Sequence, residues 1–289
     1  MAENPPPNVL SIAGTDPTGG AGIQADLKTF GALGAYGMAV ITAVVAQNTR
    51  SVTRISALSP DLVRAQLDAV FTDVTVSAVK IGMVANAGIA QCIADTLAHY
   101  RPRFVVYDPV MVSSTNHHLM NENDLNRIRR CLLPHVSLLT PNLSEAARLL
   151  NSPVPATEAA MQDCLSGLHS LGVANVLLKG GHLGEDKTSY PVAARPDAID
   201  LLSTPEGILR LSAPRLTTRH GHGTGCTLSS AIAALWPEHG LAESCLRAKQ
   251  YVHGALQHAD LLDVGHGRGP LHHFWQAVHL PGQLAYHAD

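Results

Sequence analysis

Short apolar runs rich in β-branched residues alternate with amphipathic helical patterns, and this alternation limits the possible folds of the chain more than any other feature. The runs are apolar at consecutive positions, as in strands buried on both faces of a sheet. Candidate strands span residues 9–13, 39–46, 78–81, 104–107, 137–140 and 175–178. Strands and helices in this order predict an α/β fold with a central mostly parallel sheet and helices on both faces.

The segments between these strands carry helical periodicity. The residues expected to face inward are Ile23, Leu27 and Phe30 in the first helix, and Leu62, Leu67 and Val70 in a helix that opens at Pro60. Residues 121–133 and 157–171 follow the same rule, whereas 184–215 predicts a short β excursion with strands at 199–202 and 208–211. Because no linker-like segment divides the chain, we expect one domain over residues 8–275, with terminal extensions at 1–7 and 276–289.

The composition excludes several classes of protein. With 46% hydrophobic residues and a net charge of -3, the chain has too much apolar content to be disordered. Lys and Arg number 20 against 23 Asp and Glu, so an extended basic surface for nucleic acid is not expected. The uncharged stretch 29–49 is long enough to span a membrane, but its glycines and polar end favour a helix end followed by a buried strand.

Cysteine and histidine usage adds two expectations. The five cysteines include no CxxC pair, which excludes zinc-ribbon and thioredoxin-like proteins. Their odd number and wide spacing suit a reducing compartment and favour a cytoplasmic location. The sixteen histidines form no HExxH motif, and the adjacent pairs 117–118 and 272–273 point apart on any regular element. We therefore interpret most histidines as surface or loop residues rather than metal ligands.

Polar or glycine-rich clusters follow the candidate strands directly. They comprise residues 14–16, 47–49, 82–83, 108–111, 140–142 and 179–182. An open parallel sheet binds its ligands at the carboxyl ends of its strands, so these clusters are expected to form one binding site.

The segment Gly223-Thr224-Gly225-Cys226 precedes a helical stretch, 227–235, which we expect Pro237 to end. Tight glycine turns and a helix N-terminus together predict an anion hole for a phosphoryl group in transfer. The first turn of a helix also favours a thiolate at Cys226, although a buried inert cysteine is the alternative. The glycine-rich nucleotide fingerprints GxxxxGK[ST] and GxGxxG are both absent from the sequence.

Two further residues carry chemistry that suits phosphoryl transfer. Glu145 lies one turn after a predicted strand end and could hold Mg²⁺ through water, or it could simply stabilise a helix N-terminus. Lys179 ends another predicted strand and could bind phosphate, or it could be a lysine whose stem packs on apolar surface.

The motifs together resemble those of the hydroxymethylpyrimidine kinase/phosphomethylpyrimidine kinase family, within the ribokinase-like superfamily. The residues that carry the resemblance are 13–17, 19–28, 45–49, 80–83, 108–111, 140–145, 179–182 and 222–226. They occur in family order across nearly the whole chain. The approach to the anion hole, Arg219-His220-Gly221, departs from the threonine-containing approach expected of the family and leaves ATP contacts by Thr217 or Thr218 open.

The resemblance implies ATP-dependent phosphorylation of 4-amino-5-hydroxymethyl-2-methylpyrimidine and then of its monophosphate, with Mg²⁺ as cofactor, usually in a homodimer. It implies that Gln47 hydrogen-bonds the aminopyrimidine edge, and that Gly14 and Asp26 help to hold the ring and hydroxymethyl group. Met83 and Val110 would form apolar walls. The catalytic loop would contain Gly223, Gly225 and Cys226. ATP and its phosphates would be served by Asp108, Asn142, Lys179, Thr224 and Lys249, with Glu145 on Mg²⁺.

Two other functions compete with this one. A pyridoxal kinase would accept a similar flat heteroaromatic alcohol, although Gln47 favours an aminopyrimidine because its amide both donates and accepts. A pyrimidine-binding sensor without catalysis would need neither an intact anion-hole loop nor Glu145 and Lys249.

Overall fold

The computed structural model describes residues 5–111, 122–181, 183 and 197–277. Predictions that involve His117, His118, His182 or the segments 184–196 and 278–289 lie outside these residues. The strands are β1 (Asn8–Ala13), β2 (Tyr36–Ile41), β3 (Ala43–Gln47), β4 (Val52–Ala57), β5 (Ala78–Ile81), β6 (Val105–Tyr107), β7 (Leu138–Leu139), β8 (Val176–Gly180), β9 (Ala198–Thr204) and β10 (Gly207–Ala213).

The described strands form an eight-stranded sheet in the order β10-β9-β8-β7-β6-β5-β1-β2. Strands from β2 to β8 in this order pair in parallel, whereas β8, β9 and β10 pair antiparallel. The predicted β excursion is therefore a hairpin that extends one edge of the sheet. This architecture confirms the predicted α/β fold with a mostly parallel sheet.

Helices cover both faces of the sheet. They are α1 (Gly22–Ala32), α2 (Pro60–Phe71), α3 (Ala87–Tyr100), α4 (Glu122–Cys131), α5 (Leu143–Leu150), α6 (Glu158–His169), α7 (Thr224–His239) and α8 (Leu241–Gln257). Helices α2 to α6 pack with one face of the sheet, and α1, α7 and α8 pack with the other. Successive residues of a strand therefore serve different cores: Val79 faces the first core and Ala78 the second.

Strands β3 and β4 form a separate antiparallel hairpin, which corrects the prediction of one strand over 39–46. The chain bends at Thr42, whose N–H donates to the carbonyl of Ala13 and whose hydroxyl donates to the carbonyl of Met83. These partners are distant in sequence, so the apolar run alone did not reveal the bend. The bend carries β3 away from the main sheet and over the carboxyl ends of its strands.

Two details of the helices also differ from prediction. Leu62 is half exposed, and Val63 takes the inward position of α2 together with Leu67. Pro237 does not end α7, which continues to His239; Gly240, with a φ of 72°, then turns the chain directly into α8. Among the described residues, no helix is both long and apolar enough to cross a membrane. The uncharged stretch 29–49 is divided between the end of α1, β2 and β3.

Candidate active site

A cavity of about 540 Å³ lies at the carboxyl ends of β1, β5, β6 and β8. The β3–β4 hairpin borders it on one side, and the start of α7 and the middle of α8 border it on others. Every site residue predicted from the sequence lines this cavity except Asp26. The lining residues among them are Gly14, Gln47, Met83, Asp108, Val110, Asn142, Glu145, Lys179, Gly223, Thr224, Gly225, Cys226 and Lys249.

The anion-hole loop depends on a glycine at position 223. The φ of Gly223 is 83°, in the left-handed region, and a Cβ there would collide with the carbonyl of Gly20. Helix α7 starts at Thr224, and its N-cap residue, Gly223, has no side chain that could accept from the first N–H groups of the helix. The first N–H groups of a helix have no acceptor within it, and its dipole adds positive potential there. The loop therefore presents donors where an anionic phosphoryl group can be bound.

Cys226 lies in the first turn of α7 and lines the cavity. Burial raises the pKa of its thiol to about 11; Lys80 acts against this shift, and the carboxylates of Asp26 and Asp108 add to it. Of the two alternatives for Cys226, the raised pKa therefore favours a buried inert cysteine over a thiolate. Near neutral pH this side chain is a thiol in the cavity wall.

Lys179, Asp108 and Glu145 form a charged cluster beside the anion-hole loop. The Nζ atom of Lys179 lies 2.6 Å from an oxygen of Asp108 and 3.9 Å from an oxygen of Glu145. Burial alone would lower the pKa of Lys179, but the two carboxylates outweigh it and raise the pKa, so the ammonium stays charged. Gly225 lies against this cluster, since a Cβ there would be 3.2 Å from Lys179 Nζ.

Glu145 is held in place by a capping box at the start of α5. Its side chain accepts from the N–H of Asn142 at 2.7 Å, and the Asn142 side chain accepts from its N–H at 2.8 Å. Burial raises the pKa of the Glu145 carboxyl to about 7; Lys179 opposes this shift and Asp108 adds to it. The helix-stabilising interpretation is therefore correct in geometry, and it leaves the carboxyl facing the cavity.

Lys249 reaches the cavity from α8 and is held by an acidic partner that sequence reasoning missed. Its Nζ atom lies 2.6 Å from an oxygen of Asp200, and the other oxygen of Asp200 accepts from the N–H of Gly180. Both charged groups of the pair are largely buried. Asp200 lies in β9, within the segment for which the sequence predicts only a β excursion.

Asp26 lies beneath the cavity rather than in its wall, which corrects its predicted position. It is fully buried, and both its oxygens lie 2.8 Å from Nζ of Lys80. The hydroxyls of Ser11 and Ser230 also donate to it, at 2.6 and 2.7 Å. Lys80 does line the cavity, so Asp26 acts on the site through this lysine. A lysine inside an otherwise apolar strand was the sequence signal for the pair.

The pyrimidine end predicted for the site gathers Gln47, Gly14 and Met83. A Cβ on Gly14 would be 3.1 Å from the Met83 sulfur, so glycine keeps this wall close and flat. The N–H of Val45 donates to the hydroxyl of Thr15, which joins the β3–β4 hairpin to the loop after β1. This end of the cavity therefore has apolar walls and one amide side chain on its edge.

Asp16 and His222, another pair that sequence reasoning missed, join this cleft to the anion-hole loop. His222 Nε2 lies 2.7 Å from an oxygen of Asp16, and both side chains are buried. Burial alone would raise the pKa of Asp16, but hydrogen bonds from His222, Gln47 and Thr18 outweigh it and hold the pKa well below its usual range. Asp16 therefore stays ionised and fixes the loop after β1.

The fold and this site together define a ribokinase-like kinase of small molecules. A mostly parallel sheet carries the cavity at the carboxyl ends of its strands, and an anion-binding helix start lies there beside charged lysines. Within that class, the chain belongs to the phosphomethylpyrimidine kinase family, whose model matches residues 16–272. The family predicted from the motifs is thereby confirmed.

Individual relatives agree with this assignment. A protein of Escherichia coli (strain K12) named hydroxymethylpyrimidine/phosphomethylpyrimidine kinase is 50% identical over 268 residues, which cover 92% of this chain and 97% of that protein. The solved phosphomethylpyrimidine kinase from Clostridium difficile 630 has a TM-score of 0.73 and 35% identity, covering 86% of this chain and 99% of its own. Pyridoxal kinase from Staphylococcus aureus in complex with ADP has a TM-score of 0.83 at 26% identity, covering 95% and 96%.

Proposed function

We propose that this protein transfers the γ-phosphoryl group of ATP to 4-amino-5-hydroxymethyl-2-methylpyrimidine and then to the resulting monophosphate, in thiamine biosynthesis or salvage. The observation that carries the proposal is a single cavity that joins two kinds of surface. An amide edge between apolar walls suits a flat aminopyrimidine, and the anion-hole loop beside Lys179 and Lys249 suits the phosphates of ATP. The names of the relatives support the same substrate.

Mass analysis of the products tests this function. After incubation with the pyrimidine alcohol, ATP and Mg²⁺, we expect first the monophosphate and then the pyrophosphate. ATP consumption should depend on added pyrimidine. Retained pyrimidine binding without ATP consumption would instead identify a sensor and contradict the proposal.

Pyridoxal phosphorylation is the second candidate because pyridoxal kinases share this fold at TM-scores above 0.8. The curated relatives at 47–50% identity carry the pyrimidine kinase name, which favours the pyrimidine. A comparison of kcat/KM for the two alcohols discriminates between the candidates, and a clear preference for pyridoxal would reverse our order.

The proposed mechanism rests on positioning and charge neutralisation. Lys179 and Lys249, each fixed by a buried carboxylate, would hold the phosphates, while the first N–H groups of α7 would bind the oxygens of the group in transfer. An oxygen of the acceptor forms the new bond to the γ-phosphorus as the bond to the bridging oxygen of ADP breaks. In the first step the alcohol proton passes to the transferred phosphoryl group or to water. A loose transition state needs little help from a base, so we assign the Cys226 thiol to shaping the pocket.

The residues around Glu145 fit a magnesium ion. Asp108 and Glu145 share one cation, Lys179. The raised pKa of Glu145 shows that this lysine does not fully offset the burial of the carboxyl group, and a divalent cation would add the missing positive charge. No group of three or more His, Cys, Asp or Glu side chains converges within the described residues. Mg²⁺ keeps several waters and needs one or two protein carboxylates, so this sparse set is sufficient. When bound with ATP, the ion would neutralise phosphate charge.

Mg²⁺ activation should depend on the ionisation of Glu145. Because the pKa of this carboxyl is about 7, the ionised form increases as the pH rises through 7, and Mg²⁺ competes with the proton. Activation should therefore need about 10-fold more Mg²⁺ at pH 6 than at pH 8. Glu145→Gln keeps the capping box and should weaken activation while removing most of this dependence, as Mg²⁺ titrations at both pH values will measure. Equal pH dependence in both proteins would contradict the assignment.

Gln47→Ala should lower kcat/KM for the pyrimidine by about 10- to 100-fold. Removing the side-chain amide leaves polar groups of the bound pyrimidine without hydrogen-bond partners. The KM for ATP should stay the same. Arg54→Ala is the matched control, because Arg54 is exposed on the neighbouring strand β4 and does not line the cavity. Initial rates at varied pyrimidine and ATP measure both constants, and an equal rise in the KM for ATP would assign Gln47 elsewhere.

We also propose that the protein is a homodimer. Tyr36 on the edge strand β2 and Val44 on β3 are 64% and 52% exposed, and exposed apolar side chains of this kind support a contact with a second copy. Sedimentation should give twice the mass of one 30.5 kDa chain. Val44→Asp should shift that mass toward the monomer, whereas Val154→Asp, on an equally exposed valine outside these strands, should not. An unchanged mass in Val44→Asp would move the contact elsewhere.

One kinase domain over residues 8–275 and a cytoplasmic location also remain proposals. The match of the family model to residues 16–272 supports the first. The five cysteines are free, which supports a reducing compartment.

A further inference from the structure

Arg268 lies in a segment near the C-terminus whose backbone is unusually close to its neighbours. A Cβ on Gly265 or Gly267 would collide with Thr49, and one on Gly269 would collide with His220. These alternating glycines therefore let residues 265–269 pack between the tip of the β3–β4 hairpin and the approach to the anion hole.

The hydrogen bonds of this segment fix Arg268 from both sides. The N–H of Arg268 donates to the carbonyl of Thr49 at 2.9 Å, and the N–H of Gly267 donates to the Thr49 hydroxyl at 3.0 Å. On the other side, the N–H of His222 donates to the carbonyl of Gly269 at 3.1 Å. The backbone of Arg268 is therefore fixed against Thr49, which follows Gln47 by two residues in the sequence.

The guanidinium occupies space that a glycine leaves open. A Cβ on Gly221 would be 2.6 Å from a terminal nitrogen of Arg268. Gly221 belongs to the approach where the sequence departs from the threonine expected of the family. The carbonyl of Gly221 also accepts from the Thr224 hydroxyl in the anion-hole loop. The departure therefore leaves room for the guanidinium of Arg268, which lines the cavity near the anion-hole loop.

The charge of Arg268 differs from that of the three lysines that line the cavity. Lys80, Lys179 and Lys249 are each paired with a carboxylate within 2.8 Å. Arg268 has no carboxylate at ion-pair distance in the described parts of the chain, and its side chain is exposed at the rim. No carboxylate of the residues that the structure describes neutralises this cavity cation, and a guanidinium fork matches the oxygens of a phosphate.

We propose that Arg268 binds the phosphate of the pyrimidine monophosphate and so determines the efficiency of the second phosphorylation. The first acceptor is a neutral alcohol, and the second carries a phosphate dianion into the same cavity. In that step a phosphate oxygen of the acceptor forms a bond to the γ-phosphorus, and the bond to ADP breaks. Arg268 takes part in no bond change. Its backbone bond to Thr49, two residues after Gln47, ties its segment to the hairpin that carries the proposed pyrimidine contact.

The test compares the two acceptors in the intact protein. Arg268→Gln should lower kcat/KM for the monophosphate by about 10-fold and leave kcat/KM for the alcohol and the KM for ATP within about 2-fold. Arg268→Lys should recover only part of the loss, because an ammonium cannot form the two-point contact. The difference between wild type and Arg268→Gln should shrink at high salt, since the site is exposed. Arg50→Gln, an exposed charge beside the same hairpin tip, is the matched control.

Three results would each overturn the inference: an equal loss with both acceptors, a higher KM for ATP, or unchanged kinetics with the monophosphate. The inference rests on the proposed two-step function, and the wild type separates the two failures. If wild-type protein forms no pyrophosphate, the second activity itself is absent. If it forms pyrophosphate and Arg268→Gln does so equally well, only the role of Arg268 is refuted.

Discussion

Gly223→Ala should lower kcat at least 100-fold while the protein stays folded. The left-handed φ of Gly223 strains any other residue, and the new methyl group would collide with the carbonyl of Gly20. The loop before α7 must then move away from the loop after β1. A single misplaced donor to a developing negative charge costs about 10²- to 10³-fold in kcat, and this shift moves several donors together.

Initial rates and circular dichroism check this prediction together. Binding of the pyrimidine should weaken much less than kcat falls, because Gln47 and the apolar walls lie on other elements. Gly31→Ala is the matched control, since a methyl group there meets only open space within α1. That variant should keep its kcat and gain about 0.5–1 kcal/mol of stability from helix propensity. A kcat for Gly223→Ala within a few-fold of wild type would exclude the loop as the anion hole.

The parts of the fold that sequence reasoning predicted are those that depend on local pattern. Strand β5 has the bounds expected from its apolar run, and the hairpin of β9 and β10 lies where the β excursion was expected. Burial on both faces leaves a continuous apolar signal in the sequence. The bend at Thr42 leaves no such signal, because the backbone of Ala13 and Met83 determines it.

The site divides in the same way. Residues that follow strands could be assigned to one cavity because parallel strands end at the same edge. The ionisation of Cys226 could not be predicted, since the helix start is local whereas the burial that raises the pKa of its thiol is tertiary. The position of Asp26 could not be predicted either. Asp26 points inward from α1 because it pairs with Lys80, which lies 54 residues away in the sequence.

Lys80→Met should lower the free energy of unfolding by about 3–5 kcal/mol, the usual cost of leaving a buried charge without its partner. Asp26 and Lys80 are both fully buried, and after the substitution only the hydroxyls of Ser11 and Ser230 would donate to the carboxylate. Burial alone would lower the pKa of Lys80, but Asp26 outweighs it and raises the pKa, so the pair is charged. In wild type this contribution is present at neutral pH and is lost only as the pH rises beyond the ordinary lysine range.

The pH dependence of the variant distinguishes a lost charge pair from lost packing. Without Lys80, a buried carboxylate in the folded state lacks its compensating charge, so the deficit should be larger at pH 8 than near pH 4. The double variant Lys80→Met with Asp26→Asn removes the charge and should recover most of the stability, because a neutral buried pair lacks the penalty. Urea unfolding of both variants at two pH values measures these differences. A deficit that is equal at both pH values and persists in the double variant would show that Lys80 stabilises the fold through packing alone.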